Sequence, residues 1–225
     1  MKKFFAVTLA LTIFSTNTVF ADEITNMMID LGYENIYLLG HSQGGILAPR
    51  IYENNDCVYD GLIILGGTPR TLSDVAIDQI TNSYEVIGMD EDSEAYINGE
   101  IEKINSLDTM TDDELKQTYI AGMPAYYLKE MNSYNTSEIA KRIDKPFLIL
   151  QGSEDFQVFE APDYELWKEV LKDNEEAEFV LYEDLGHFFT KAPEYPAYAT
   201  VDYIPAQKMD SRVIEDIWNF IESNN

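Results

Sequence analysis

The chain has 225 residues, 45% of them hydrophobic, enough for one globular domain with a sizeable core. With 15 basic against 41 acidic residues its net charge is −26, which makes nucleic acid and anionic membrane surfaces poor partners. Cys57 is the sole cysteine, so no disulfide can form within the chain and packing must hold the fold together.

Residues 1–21 read as a secretory signal peptide: Lys2 and Lys3, the apolar run "FFAVTLALTIF", then a polar stretch ending Val19-Phe20-Ala21. The run lacks the polar face and caps of a core helix and is too short to span a bilayer. Cleavage after Ala21 would leave Asp22–Asn225, near −28 in charge, and an exported or periplasmic protein with no later membrane-spanning segment.

"ITNMMIDLGY" (24–33) reads as the end of a helix leading into a strand. Four short apolar runs follow as strands: "NIYLLG" (35–40), "GLIILGG" (61–67), "PFLILQG" (146–152) and "AEFVLYED" (177–184). The first three are apolar on both faces, the mark of parallel strands covered by helices on each side. Helical patterns occupy 43–53, 163–174 and 210–223, the last with Val213, Ile214, Ile217, Trp218 and Ile221 as one apolar stripe. Strands alternating with helices predict a parallel α/β sheet.

Residues 70–143 break that rhythm. The block is long, rich in Asp, Glu, Asn and Tyr, helical in pattern and without a convincing strand, and is expected to form a helical lid. "TDDE" (111–114) is a capping box that starts one of its helices. "DEDSE" (90–94) lacks the central Gly and terminal Glu of an EF-hand, and reads as a solvated loop rather than a calcium site.

Gly40-His41-Ser42-Gln43-Gly44 fits G-x-S-x-G, with an apolar strand before it and Ile46, Leu47 and Ile51 on a helix after it. In that context the serine sits on a tight strand-to-helix turn, and glycines two positions either side let the backbones pass. The backbone N–H of Gln43 is then the candidate oxyanion donor, aided by the helix N-terminus. Of the two histidines, His41 adjoins Ser42 with its side chain pointing away, and is expected to pack or hydrogen-bond beneath the turn. His187, on the loop after the fourth strand, lies at the same carboxyl edge as Ser42 and is the candidate base. Asp155 follows the third strand in a Gly-x-x-Asp spacing and is the candidate orienting acid, with Glu154 as its alternative. The order Ser, Asp, His is that of one hydrolase fold.

On "YLLGHSQGG", "GLIILGGTPR", "KPFLILQGSEDFQV" and "LGH", the chain resembles the α/β-hydrolase superfamily, and within it bacterial esterases and serine-aminopeptidase-like hydrolases, over about residues 30–223. The resemblance implies a Ser42 nucleophile, a His187 base and acid, an Asp155 orienter, an acyl-enzyme intermediate and no metal or cofactor. Its expected substrate is a small uncharged ester, with short peptides as the alternative. Phe188 and Phe189, in the aromatic stretch 188–205, and Met123 and Tyr126 of the lid are the candidate pocket residues, each weighed against ordinary packing.

The family places several strands before the serine, one of whose loops gives a second oxyanion N–H. Only 13 residues separate Ala21 from Asn35, room for one short helix. The sequence is therefore expected to be a shortened copy of a longer hydrolase. Strand 35–40 would then be an exposed apolar edge, open to pairing with a second copy, and the lost donor would cost about 10²–10³ in rate. A binding module on a hydrolase scaffold is the non-enzymatic alternative.

Overall fold

The computed structural model describes residues 5–10, 17–54, 58–192 and 208–225; Cys57 and most of the aromatic stretch after Ala192 lie outside them. Two compact units emerge, one formed by the chain up to Pro69 with residues 136–192 and the C-terminal helix, the other by residues 70–135.

The first unit is built on a five-stranded sheet in the order β1-β2-β3-β6-β7, every pair parallel. Its strands are β1 (Phe5–Ala10), β2 (Asn35–His41), β3 (Gly61–Leu65), β6 (Phe147–Gly152) and β7 (Ala177–Tyr182). The four apolar runs of the sequence are β2, β3, β6 and β7. Strands β3 and β6 are buried throughout, as their unbroken hydrophobicity requires.

The N-terminal segment departs from expectation. Phe5–Ala10 pairs with β2 from Phe5↔Asn35 to Ala10↔Gly40, so in the full chain the open edge expected at strand 35–40 is covered by β1. Unpaired N–H and C=O groups along β2 are satisfied by the nearest apolar extended segment, and the sheet edge passes to β1. Helix α1 (Asn17–Asp30) then returns to β2, tied down where the buried Thr25 and Tyr59 hydroxyls bond at 2.7 Å.

Helix α2 (Gln43–Asn54) buries Ile46, Leu47 and Ile51. Helix α7 (Thr136–Ala140) packs on it, with the Thr136 hydroxyl donating to the Ile46 carbonyl. Helix α8 (Glu165–Val170), shorter than its sequence pattern, brings the buried Trp167 ring to 6.3 Å from Phe147. Helix α9 (Ser211–Ser223) sets Val213, Phe220 and Ile221 against Tyr37, Leu39, Ile63, Leu65, Leu148 and Leu150. Its inward stripe is thus rotated from the expected one: Phe220 is buried, whereas Ile214 and Trp218 are about half exposed.

The second unit contains α3 (Leu72–Ile87), α4 (Glu91–Ser106), α5 (Asp112–Gln117) and α6 (Ala125–Asn132). It ends at Asn135, short of the expected boundary near 143, because α7 belongs with the sheet. The capping box at Thr111 and Glu114 forms as read. "DEDSE" is a helix start rather than a loop: the Asp90 carboxylate accepts the Ser93 N–H at 2.9 Å and the Ser93 hydroxyl accepts the Asp90 N–H. Two-residue strands β4 (Tyr119–Ile120) and β5 (Met123–Pro124) also form, too short to leave an alternating pattern. Their turn places Ala121 and Gly122 at φ 50° and 77°, with the Ala121 N–H bound to the buried Glu100 carboxylate.

Among the described residues, no helix is long and apolar enough to cross a membrane.

Candidate active site

Every chemistry-bearing residue picked from the sheet unit's sequence follows the carboxyl end of a strand. Ser42 stands where β2 turns into α2, at φ 56°, a left-handed conformation that a serine adopts only under constraint. Three constraints are visible. The Ser42 N–H donates to the Leu65 carbonyl of β3, and the Gly45 N–H donates back to the Ser42 carbonyl, each at 2.9 Å. Gly40 passes so close to the helix start that a Cβ there would stand 2.2 Å from the Gly44 carbonyl oxygen. The first glycine of G-x-S-x-G is therefore a steric requirement of this turn. Gln43 is the first residue of α2, at the positive end of the helix.

Asp155 and His187 meet at the same edge. The His187 Nδ1–H donates to Asp155, 2.8 Å from Oδ2 and 3.0 Å from Oδ1, and both residues are buried. Asp155 is itself held: Oδ1 accepts the Gln157 and Val158 N–H groups at 2.8 and 3.0 Å, and Oδ2 accepts from the Gln151 amide at 3.2 Å. A carboxylate gripped by this many donors cannot swing away from the imidazole. Glu154, the alternative acid, is exposed.

His187 rides on a tight loop in which the Gly186 N–H binds the Thr190 carbonyl and the Phe189 N–H binds Gly186. His41 fastens this loop to the serine turn. Its Nε2–H donates to the His187 carbonyl at 2.8 Å, and the two imidazole rings lie 4.8 Å apart. His41 is pushed down to about 4, first by burial and then by its neighbour His187; its bond to the His187 carbonyl and the Asp155 charge oppose this. It is therefore a neutral donor between Ser42 and the Asp155–His187 pair, beneath the turn as the sequence suggested.

Of the pocket candidates, Phe188 lies edge-on to His187 at 5.4 Å and keeps about a third of its surface exposed. Phe189 is corrected: it is a core residue, fully buried at φ 55° and packed edge-on against Tyr182 at 6.0 Å. The loop's sharp reversal turns adjacent phenylalanines in opposite directions. Met123, half-buried in β5, and Tyr126, exposed on α6, belong to the helical unit.

Several residues of the site carry no signal in the sequence. Gln151 is one, hidden inside an apolar strand. Gly66 and Gly67, directly after β3, are others. Gly66 is at φ 51°, and a Cβ there would lie 3.1 Å from Asp155 Oδ2 and 3.5 Å from His187 Nδ1. Phe156, 6.4 Å from the His187 ring, completes the surroundings. Among the described residues, no three His, Cys, Asp or Glu side chains gather as a metal site.

A left-handed serine after one strand and a buried histidine bound to a carboxylate after two others, all at the carboxyl edge of a parallel sheet, are the arrangement of the α/β-hydrolase fold. No protein-family model matches the chain. A curated relative, esterase EstD of Thermotoga maritima, is 29% identical over 182 residues, which make up 81% of this chain and 41% of that protein. The chain thus spans about two-fifths of that esterase's length. Among solved structures, Est1E of Butyrivibrio proteoclasticus with ferulic acid bound is similar with a TM-score of 0.52, at 18% identity, covering 92% of this chain and 66% of that one. A Pyrococcus furiosus esterase is similar with a TM-score of 0.50, at 10% identity, covering 93% and 62%. The chain thus has the fold of these solved esterases and is similar in sequence to one curated esterase.

Proposed function

We propose that this protein is a serine hydrolase of carboxylic esters. The observation that carries the reading is the buried Asp155–His187 pair fastened through His41 to a left-handed Ser42. In this reading the Ser42 hydroxyl attacks the ester carbonyl carbon as the far nitrogen of His187 takes its proton. Asp155 holds Nδ1–H and stabilises the imidazolium. The Gln43 N–H, at the positive end of α2, receives the developing oxyanion. His187 then returns the proton to the departing alcohol, leaving an acyl-serine. Water, deprotonated by His187, releases the acid and restores Ser42.

The names of the relatives favour esters over peptides, and the ferulic acid bound to Est1E makes esters of aromatic acids the first substrates to try. The exposed Phe188 ring beside His187 offers such a group an apolar contact. Residues 1–21 direct export and are removed after Ala21. Removal takes β1 with it, so the mature chain exposes β2 to a second copy.

Fluorophosphonate labelling read by intact mass tests the chemistry without a choice of substrate. The reading requires one adduct on the wild type, absent from Ser42→Ala and His187→Ala. Folded wild-type protein that takes no label, or a label that survives Ser42→Ala, overturns it.

A further inference from the structure

The segment "GGTPR" (66–70) that follows β3 contains no group for the chemistry just described, yet its backbone touches both halves of the site. Gly66 faces Asp155 and His187, while a Cβ on Gly67 would lie 3.3 Å from the Ser42 carbonyl oxygen and 2.9 Å from Gly45 Cα. A shift of this strip would move the serine turn and the histidine pair against each other.

Two fully buried side chains from the β6–β7 crossover hold the strip in place. The Trp167 indole N–H donates to the Gly67 carbonyl at 2.9 Å. The Thr68 hydroxyl donates to Asp163 Oδ1 at 2.6 Å, and Asp163 Oδ2 accepts the Phe159 N–H at 2.8 Å. Thr68 and Asp163 are both 0% exposed. A buried carboxylate is a costly way to join two loops when apolar contact would serve. What it adds is direction: a short charge-assisted bond fixes the Thr68 hydroxyl, and with it the adjoining Gly67 peptide, far more tightly than packing does.

We propose that Asp163 and Trp167 are positioning residues, which through Thr68 and Gly67 set the backbone wall that aligns Ser42 with the Asp155–His187 pair. The role rests on the serine-hydrolase reading, since alignment matters only if these groups react together. Misplacing reacting groups by an ångström is enough to lower a rate about 100-fold.

The test uses Thr68→Val, which keeps shape and loses the donor, Thr68→Ser, which keeps the donor, and Trp167→Phe, which keeps an aromatic ring without the N–H. Two readouts are taken on the full chain. The first is steady-state hydrolysis of a p-nitrophenyl ester, normalised to sites titrated by fluorophosphonate. Expected is a fall in kcat of about 10–100-fold in Thr68→Val and Trp167→Phe with KM within twofold, and recovery to within threefold in Thr68→Ser. The second needs no turnover: the ¹⁵N and proton shifts of His187 Nδ1–H at fixed pH, assigned with ease because the chain has two histidines. These signals are displaced in Thr68→Val and Trp167→Phe and retained in Thr68→Ser.

A merely structural clamp would lower the melting temperature and leave both readouts unmoved, which overturns the proposal. So does an equal change in Thr68→Ser and Thr68→Val. If the wild type takes no label, the hydrolase reading fails by itself, and the His187 signals still decide whether Thr68 and Trp167 control the geometry of the pair.

Discussion

Acid should destabilise this protein through His41 specifically, and by an amount the structure sets. An unfolded histidine titrates near 6.5, whereas His41 is held down to about 4 by burial and by His187. Its folded value lies below its unfolded one, so between these values the unfolded chain binds more protons and stability rises with pH. The contribution is fully present above 6.5 and is lost as pH falls toward 4. At about 1.36 kcal/mol per unit, acidification from pH 8 to pH 5 removes about 2 kcal/mol, and the full gap corresponds to about 3 kcal/mol. Urea unfolding of wild type and His41→Gln at pH 8, 6.5 and 5 measures it. Glutamine cannot titrate, and carboxylate effects common to both proteins cancel in the difference. The wild-type curve should therefore lose about 2 kcal/mol more than the variant between pH 8 and pH 5. Parallel curves would mean that His41 takes up its proton at the same pH folded as unfolded, and would refute the burial-enforced neutrality assigned to it.

Other consequences follow from the same geometry. Asp155→Asn keeps an oxygen for the Gln157 and Val158 N–H groups but sets an amide against His187 Nδ1–H; steady-state kinetics should show kcat down about 10³–10⁴-fold with KM little changed. Gly40→Ala forces a Cβ to 2.2 Å from backbone, and calorimetry should show a loss of at least about 4 kcal/mol or no folded protein. Phe220→Ala, which empties a buried ring position under the sheet, should cost about 3–5 kcal/mol in urea unfolding, against under about 1 kcal/mol for the exposed Ile214→Ala.

How far the sequence could be read depended on how local each cause was. Strands β2, β3 and β6 announced themselves because burial on both faces demands uninterrupted apolar runs, and the Thr111 cap because its two partners are three residues apart. Register around α9 was less legible. A helical stripe spans more than one edge, and nothing short of the position of Tyr37, whose ring meets Phe220 at 6.0 Å, decides between Phe220 and Trp218 as the inward residue. The pairing of Phe5–Ala10 with β2 was not legible, because an apolar run behind two lysines has the same pattern whether or not it also finds a strand partner in the full chain.

The candidate site divides along the same line. Ser42, Asp155 and His187 were accessible from sequence because a parallel sheet delivers each strand's following loop to one edge, so a strand end plus one reactive side chain suffices. Their support was not. Thr68 and Asp163 are 95 residues apart and Gly67 and Trp167 are 100 apart, pairs with no shared local pattern. Glycine after a strand reads as a turn whether or not its missing Cβ makes room for a histidine. Candidate reactive residues are thus marked by their own chemistry, while the residues packed and bonded around them are marked only by what the fold brings together.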